Sequence, residues 1–548
     1  MNQRLIRVSV LANLILSASV AYCYDNIRVV TNIAALKNVS CLSANNVVMA
    51  AGYLMPNDGG GGLFTWDVNS TAIADNGTIF ISNRAVTGRW VRTPEDASII
   101  NVKWFGVVGD GTIDDTSKVQ TAIDAARSHK LTLYFPQGNY KISSTLDFTR
   151  WDGLAVRGSG TGSAPAAGSQ AITKLSFNNI SSIGADFSGS NNGKISDIVF
   201  NNTGTFPKAT ILIAMTSSGD GNNLVFDNCG IARGTTAGAF IYRARGTVFA
   251  NCRLHCSGSG CHAIVMTGKT DYGISSEFQT FTSEGIVSRV SLFGGEIVGD
   301  NTSLVLLDGR ASGGLDSFSM HGGFMQIAGS NLYGFEAIGT CSNISYTGPR
   351  CEIVNFGSNI AFGLLKNGCS LYNLFLVGHI TTGDSIDGTG NIYSSFIQTW
   401  SGDVNLVGNI TSSQITGCSG NMNVNVTGDV TATRFSNNGP ITANVSGTKL
   451  YTIVTPSDGE IVNIVHNFAI NSTNTTSSYT ITTDGFYYAA FAGATYWLYS
   501  YDNNGNRQTT IIKNTEHPDT GTGYVSVNGN TITATRNAID GNFIVRKF

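Results

Sequence analysis

From about residue 140 the chain shows no helical periodicity of useful length. Short apolar and β-branched runs alternate with clusters of Asn, Gly, Ser and Asp, the pattern of strands separated by tight turns. The runs also repeat. "ISDIVFNN" at 195, "NNLVFDNC" at 222 and "GTVFANC" at 246 align so that Phe200, Phe226 and Phe249 fall 26 and 23 residues apart, with Cys229 in register with Cys252. "VSLFGGEI" at 290, "FSMHGGFMQI" at 318 and "ISYTGPRCEI" at 344 recur at spacings near 28, and "VNLVGNIT", "VNVTGDVT" and "ANVSGTKL" recur every 19 to 20 residues between 404 and 447. Periods of this length are single turns of a solenoid. A right-handed parallel β-helix accounts for all three sets, because each rung buries an aromatic or aliphatic position and pairs its backbone with the rungs above and below. A sandwich or propeller fits less well, since hairpin turns of the Asn-Gly kind are sparse in the middle of the chain.

Three regions depart from the rung pattern. "SKVQTAIDAAR" presents Val119, Ala122, Ile123 and Ala126 on one helical face, and Asp114 or Asp115, ahead of Thr116 and Ser117, supplies an N-cap. An amphipathic helix directly before the first solenoid strand, "LTLYFPQGNYKI", predicts a cap over the open apolar end of a β-helix. Asp110, Asp114 and Asp115 are on this reading turn and capping residues rather than an acid cluster. From about 450, period-two alternation in "SSYTITTDGFYYAAFAGATYWLYSY" and "TGYVSVNGNTITATRNAIDGNFIVRKF" predicts an antiparallel sandwich of about 95 residues. The first 23 residues run from Arg4 and Arg7 through an apolar stretch to Ser19 and Ala21, the layout of a secretory signal, with an anchoring helix as the alternative.

Composition narrows the class. Charged residues are 13% of the chain, the net charge is −3, and 65 glycines stand against 9 prolines, which excludes a disordered chain and gives no basic surface for nucleic acid. Ten cysteines without a CxxC spacing give no zinc motif. Cys252, Cys256 and Cys261 beside His255 and His262 in "NCRLHCSGSGCH" read as buried thiols or a disulfide before they read as a metal site. No cofactor and no metal is expected.

"WFGVVGDGTIDDTSKVQTAIDAA" followed by "LYFPQGNYKI" resembles the opening signature of the pectate-lyase-like β-helix superfamily, of the phage tailspike and capsular polysaccharide depolymerase type. Upstream, "GYLMPNDGGGGLFTWD" and "TGRWVR" resemble the small module that often precedes it. The strong match covers about residues 45 to 145, and the repeats extend a weaker one to about 450. The expected organisation is a signal peptide or anchoring helix at 1–23, a small N-terminal module at 24–98, a parallel β-helix at 99–450 and a C-terminal sandwich at 451–548 for trimerisation or carbohydrate binding. The resemblance implies a homotrimer, secreted or carried on a virion tail, that binds and often cleaves a bacterial capsular or exopolysaccharide, with no nucleic-acid partner and no membrane association after signal removal. The alternatives are a secreted monomeric pectate-lyase-type enzyme and a glycan-binding spike without catalysis.

The signature marks a fold and is silent on catalytic residues. Hydrolysis of a sugar chain needs two carboxylates, whereas lyase elimination needs a base and a cation to neutralise a uronate. Glu296 of "GGE" and Glu352 of "GPRCE" fall at similar places in aligned rungs, with Gln326 of "GGFMQ" between them. On one face, two rungs of about 4.8 Å would set these acids about 9.5 Å apart, at the edge of the inverting-hydrolase range. Asp300, Asp308 and Asp316 on the intervening turns, and Glu277 and Glu284 in a stretch where the repeat blurs, are further acids. Arg350 beside Glu352 is placed to bind an acidic sugar, and His321 and Arg253 are the lyase candidates. Tyr242, Tyr272, Tyr333, Tyr346 and Trp497 are candidates for stacking on sugar rings, with packing of the solenoid wall as the alternative for the tyrosines.

Overall fold

The computed structural model describes residues 27–40, 46–162, 172–215 and 222–547, the last span with breaks; over 350–356 and most of the described part of 449–547 it describes the backbone alone. The expected leader at 1–23 lies outside the described residues. The chain divides into two compact units, one reaching Val108 and adding Ser117–Tyr134, the other made of Gly109–Thr116 and everything from Phe135 onward.

The first unit holds a small sheet with strands in the spatial order Arg28–Val30, Val47–Ala50, Gly62–Asp67, Arg89–Thr93, Ile79–Phe80, of which only the first pair is parallel. Alternation along the third and fourth strands buries Phe64, Trp66 and Trp90 together with Leu36 and Phe80. Arg92 is buried among them, and its guanidinium donates to the carbonyls of Gly60, Gly61 and Gly77 at 2.9, 2.6 and 2.9 Å. Burying that charge lowers its pKa to about 9. The expected helix forms at Thr116–His129 and buries the four predicted residues plus Ala125. The aspartates before it close turns: Asp110 accepts from the Thr112 and Ile113 amides, Asp114 from the Thr116 amide and Asp115 from the Gly109 amide.

The second unit is a parallel β-helix with the right-handed crossover that parallel strands adopt. Each upper rung supplies one strand to each of three sheets, A, B and C in chain order. One rung is Ala237–Tyr242, Arg245–Ala250 and Arg253–Ser257; the next is His262–Thr267, Val287–Phe293 and Glu296–Asp300; the next is Val305–Gly309, Leu315–His321 and Phe324–Gly329. Each pairs in parallel with its counterpart one rung on. The predicted columns appear in Val290, Phe318 and Ile344, and in Val404, Val424 and Ala443. Phe226 lies over Phe249 with stacked rings 5.2 Å apart, but the residue above Phe226 is Ile195. Phe200 has moved round the corner into sheet C, where it pairs with Ile231. "ISDIVF" offers two apolar positions five residues apart, and the turn between them assigns one to each sheet.

That turn is set by backbone conformation. Each rung carries two residues with positive φ at sheet B, the first just before or within its strand and the second five positions on: Asn192 and Asp197, Asn223 and Asn228, Gly246 and Asn251, Arg289 and Gly294, Ser317 and Gly322, Asn343 and Gly348. Asn, Asp and Gly are the residues that tolerate this region. Their side chains also link rungs, Asn223 donating to Asn192 at 3.2 Å and Asn228 to Asp197 at 2.8 Å. The first column continues through Asn373, Ser394, Ser412 and Ala432. Among the described residues the second is last seen at Gly348, where the register shifts and residues 348–349 face residue 378 alone. The corner is one residue shorter at this point.

Beyond 454 the strands become antiparallel, with a five-stranded sheet in the order Ile464–Ile470, Gly541–Lys547, Gly485–Phe491, Ala494–Asn503, Asn506–Thr515 and a three-stranded sheet of Thr476–Thr480, Thr531–Arg536 and Gly523–Asn528. This is the layered antiparallel arrangement the alternation predicts. Trp497 lies in the fourth strand of the larger sheet; its side chain lies outside the described part.

The B-to-C corner yields a stability test. At Gly322 (φ +66°) a Cβ would meet nothing within 4 Å, so Gly322→Ala carries the left-handed penalty alone, about 1–2 kcal/mol. At Gly295 (φ +72°) it would lie 2.2 Å from the Cys252 carbonyl oxygen. Gly295→Ala is expected to lose more than about 3 kcal/mol. Denaturant midpoints compare the two, and equal losses would contradict this account of the corner.

Candidate functional site

The strand register places the predicted residues. Glu296 stands over Phe324 and then Arg350, while Glu352 stands under Gln326 and Val298. The expected Glu296–Gln326–Glu352 column is therefore not formed: the two acids are offset by two residues and two rungs, about 12 Å between their Cα atoms. The corners 294–295, 322–323 and 348–349 have equal length, so aligning Val290, Phe318 and Ile344 carries Glu296 onto Arg350. The side chains of Arg350 and Glu352 lie outside the described part.

Glu296 has a partner on the rung above. Its Oε2 lies 3.1 Å from Arg253 Nε, a charge contact without hydrogen-bond alignment between half-exposed side chains. His321, at the end of its sheet B strand, stacks on exposed Phe293 with ring centroids 5.1 Å apart, and its Nδ1 is 3.2 Å from Thr347 Oγ1. Asp316 accepts from Ser317, Ser342 and Asn343 at 3.0, 3.1 and 2.6 Å, and Asn343 accepts in turn from Asn373. Its carboxylate is thus part of the rung ladder. Asp300, Asp308 and Asp316 are strand residues rather than turn residues.

Glu277 belongs to a different face. The segment 268–286, where the repeat blurs, lies across the outside of sheet A. Glu277 accepts from Ser182 and Thr145 at 2.6 and 3.1 Å, Gln279 reaches Thr149, and Ser276 donates to Asp186, whose buried carboxyl is pushed up by desolvation. Phe281 stacks on Tyr242 at 4.6 Å, and Glu284 pairs with Lys269. Beneath the segment the outward column of sheet A is apolar, running through Leu212, Phe240, Val265 and Leu306. Tyr242 and Tyr346 pack, as the alternative reading has it; Tyr346 is fully buried inside the solenoid.

One rung beyond Leu306 the column is acidic, as it is at Asp186 above Leu212, and a cluster of ionisable groups gathers there. Asp308 is fully buried and accepts from Thr267, Tyr272 and Arg310 at 2.9, 2.9 and 2.7 Å on one oxygen, and from the Arg310 amide and Nε on the other. Burial alone would raise its pKa, but these donors hold it below the usual carboxylate value. Arg310 also reaches Asp271 at 2.8 Å, and burial beside Asp308 pushes the Tyr272 hydroxyl up. One rung below Leu306 stands Glu336, buried, in contact with Lys366 Nζ and 3.7 Å from His262 Nε2. At that distance the imidazole touches the carboxylate without hydrogen-bonding to it. Burial acts to raise the Glu336 carboxyl, and its two basic neighbours overcome it and hold the pKa at about 2. Lys366 remains half-exposed.

Glu336, His262 and Lys366 escape the sequence reading because they sit inside apolar runs, "YGFEAI", "HAIVM" and "FGLLK". The signal available is a charge that follows Leu212, Phe240, Val265 and Leu306 in one column, and it requires the register to be seen.

With this geometry in hand, comparison with known proteins supplies the class. Residues 29–95 match the phage tail protein small four-stranded β-sheet domain, and residues 99–289 match the rhamnogalacturonase A/epimerase, pectate lyase-like domain. A segment similar to a phage-tail module is thus followed directly by one similar to a pectate-lyase-like domain. Among curated relatives, mannuronan C5-epimerase AlgE3 of Azotobacter vinelandii is 40% identical over 73 residues, 12% of this chain and 4% of that protein. A Mu-like prophage FluMu defective tail fiber protein of Haemophilus influenzae is 30% identical over 123 residues, 22% of this chain and 19% of that one. The chain therefore spans only a small fraction of the curated relatives it matches. Among solved structures, tailspike protein gp49 of Acinetobacter baumannii bacteriophage Fri1, a capsular polysaccharide depolymerase, aligns over 95% of this chain and 97% of its own at 12% identity and a TM-score of 0.41. Full-length tailspike protein 2 of Escherichia coli O157:H7 bacteriophage CAB120 aligns over 98% and 82% at 12% identity and a TM-score of 0.46.

The Glu336 cluster has a pH signature. A carboxyl whose folded pKa is depressed contributes stability above its unfolded pKa, near 4.5, and loses it as the pH falls toward about 2. Glu336→Gln is expected to cost about 2–3 kcal/mol at pH 7, with the difference from wild type shrinking between about pH 4.5 and 2. Unfolding measured across that range checks it, and a difference independent of pH would remove the charge pair from the explanation.

Proposed function

We propose that this chain is a tailspike-type depolymerase that binds and cleaves a bacterial surface polysaccharide, acting as a homotrimer on a virion tail or outside the cell. The observation that carries the reading is the union, in one chain, of a phage-tail module with a pectate-lyase-like solenoid whose sheet A face gathers Glu336, His262 and Lys366. The stacked pair Tyr372 and Tyr393, 4.6 Å apart with Tyr372 exposed, supports sugar binding on the neighbouring sheet B.

Elimination is the chemistry we favour. Hydrolysis needs one carboxylic acid kept protonated; Asp308 and Glu336 are both pushed the other way, and Asp186, whose carboxyl is pushed up, is bonded to Ser276 of the covering segment. Elimination beside a uronate needs a base and a cation in contact, which His262, Glu336 and half-exposed Lys366 provide. Relatives named for mannuronan and alginate support an acidic glycan as substrate.

The full chain is incubated with a panel of bacterial capsular polysaccharides and with pectate, following new reducing ends and the ultraviolet absorbance of an unsaturated uronate together. Both signals are expected to rise, and Lys366→Met to lower kcat/KM by about 100-fold or more. Reducing ends without absorbance would mean hydrolysis and end the elimination reading. Glycan binding with neither signal would leave a non-catalytic spike. Light scattering is expected to give three times the chain mass.

A further inference from the structure

We propose that Asn367 is a site of self-modification: the Gly368 backbone nitrogen displaces its side-chain amide, ammonia leaves, and the corner beside Lys366 gains a carboxylate. The modification follows from the geometry of this corner, and only its effect on turnover rests on the elimination reading.

Asn367 and Gly368 stand outside the parallel ladder. The rung above passes from sheet A to sheet B between Ile338 and Thr340 through Gly339 alone, whereas the same passage from Lys366 to Ser370 takes three residues. The rung below gives the same count: Thr389 alone separates Gly388 from Gly390, against three residues between Leu365 and Cys369. Two residues are therefore additional, and the pair left without a partner in both registers is Asn367 and Gly368. Both are exposed and both have left-handed backbones, with φ of +53° and +72°. A Cβ at Gly368 would meet nothing within 4 Å, and the Asn367 side chain has no hydrogen bond to a described residue.

Asparagine is a thermally labile residue, and in a folded chain its loss is limited by access of the next backbone nitrogen to the side-chain carbonyl carbon. A following glycine has no Cβ to hinder that approach and leaves the backbone its widest range. Two other Asn-Gly pairs show what blocks it. After Asn76, the Gly77 amide donates to Asp75 at 2.9 Å, and a Cβ there would lie 2.3 Å from the Phe105 ring. Asn192 donates to Asp152 at 3.0 Å and accepts from Asn223 at 3.2 Å, while Gly193 is paired in its strand with Leu224. Neighbours clamp both of these pairs, and none clamps Asn367 and Gly368.

The step balances with water alone. The Gly368 nitrogen attacks Asn367 Cγ and gives up its proton, the Cγ–Nδ2 bond breaks, and ammonia leaves behind a five-membered succinimide. Water then opens either ring C–N bond, giving aspartate or isoaspartate with nothing oxidised or reduced. The new carboxylate lies one residue from Lys366, whose ammonium contacts Glu336, and isoaspartate also reroutes the backbone of the corner through its side chain. Turnover at the cluster thus declines with the age of the chain.

The test holds the folded full chain in mildly alkaline buffer, then digests it for sequencing by mass spectrometry, with isoaspartate counted by enzymatic methylation. Aspartate and isoaspartate are expected to accumulate at position 367 ahead of positions 76 and 192, with one ammonia released per converted residue. Asn367→Gln, which cannot close the five-membered ring, is expected to lose this signal. Asn367→Asp, which carries the product's charge, is expected to lower kcat/KM by up to about fivefold on an acidic glycan the wild type cleaves. Conversion of Asn76 or Asn192 while Asn367 keeps its amide would overturn the proposal, as would ammonia release unchanged in Asn367→Gln. An unchanged kcat/KM in Asn367→Asp would overturn the effect on turnover. The mass readout decides the modification whether or not the wild type cleaves a glycan, so failure of the elimination reading is told apart from failure of this one.

Discussion

Two left-handed backbone positions five residues apart, repeated rung after rung, are the constraint on which the upper solenoid depends. They fix where sheet B begins and ends, and parallel hydrogen bonding then transmits that choice to the strands above and below. Asn, Asp and Gly fill most of these places because they tolerate the conformation, and the amides add links between rungs. Phe200 illustrates the force of the rule: its side chain is aromatic and in step with the repeat, yet the corner at Asp197 assigns it to another sheet.

The same regularity gives meaning to departures from it. A column of outward residues on sheet A is apolar through Leu306 because the segment 268–286 covers it, and turns acidic at Glu336. A buried carboxylate beside Lys366 and His262 costs desolvation that an aliphatic residue would avoid, and such groups cluster where chemistry is done. The segment is held by Glu277, Ser276, Tyr272 and Asp271, so acids that look like surface residues in the sequence act as anchors.

The rung period, two of the three repeat sets and the helix at Thr116–His129 were legible because they rest on local periodicity. Cys229 and Cys252 were legible as neighbours for the same reason. The pairing of Glu296 with Glu352 was misread by two residues. The equal corners at 294 and 322 carry the register, which the acidic identity of two residues does not. Glu336, His262 and Lys366 were not legible, because single charges inside apolar runs acquire significance only when residues 262, 336 and 366, far apart in the chain, come to lie on one face. Arg253 beside Glu296 and His321 on Phe293 were named singly, and their partners came from the folded register.

The connection from sheet A to sheet B carries a further consequence. In the upper rungs the corners from sheet B to sheet C are two residues each, whereas residues 268–286 enter and leave between His262–Thr267 and Val287–Phe293 without disturbing the parallel pairing of either strand. A stretch at that position can lengthen, shorten or be replaced wholesale while the ladder beneath stays in step. The wall is thus conservative and its covering replaceable, which lets a lineage redraw one face of the molecule by exchanging a single cassette.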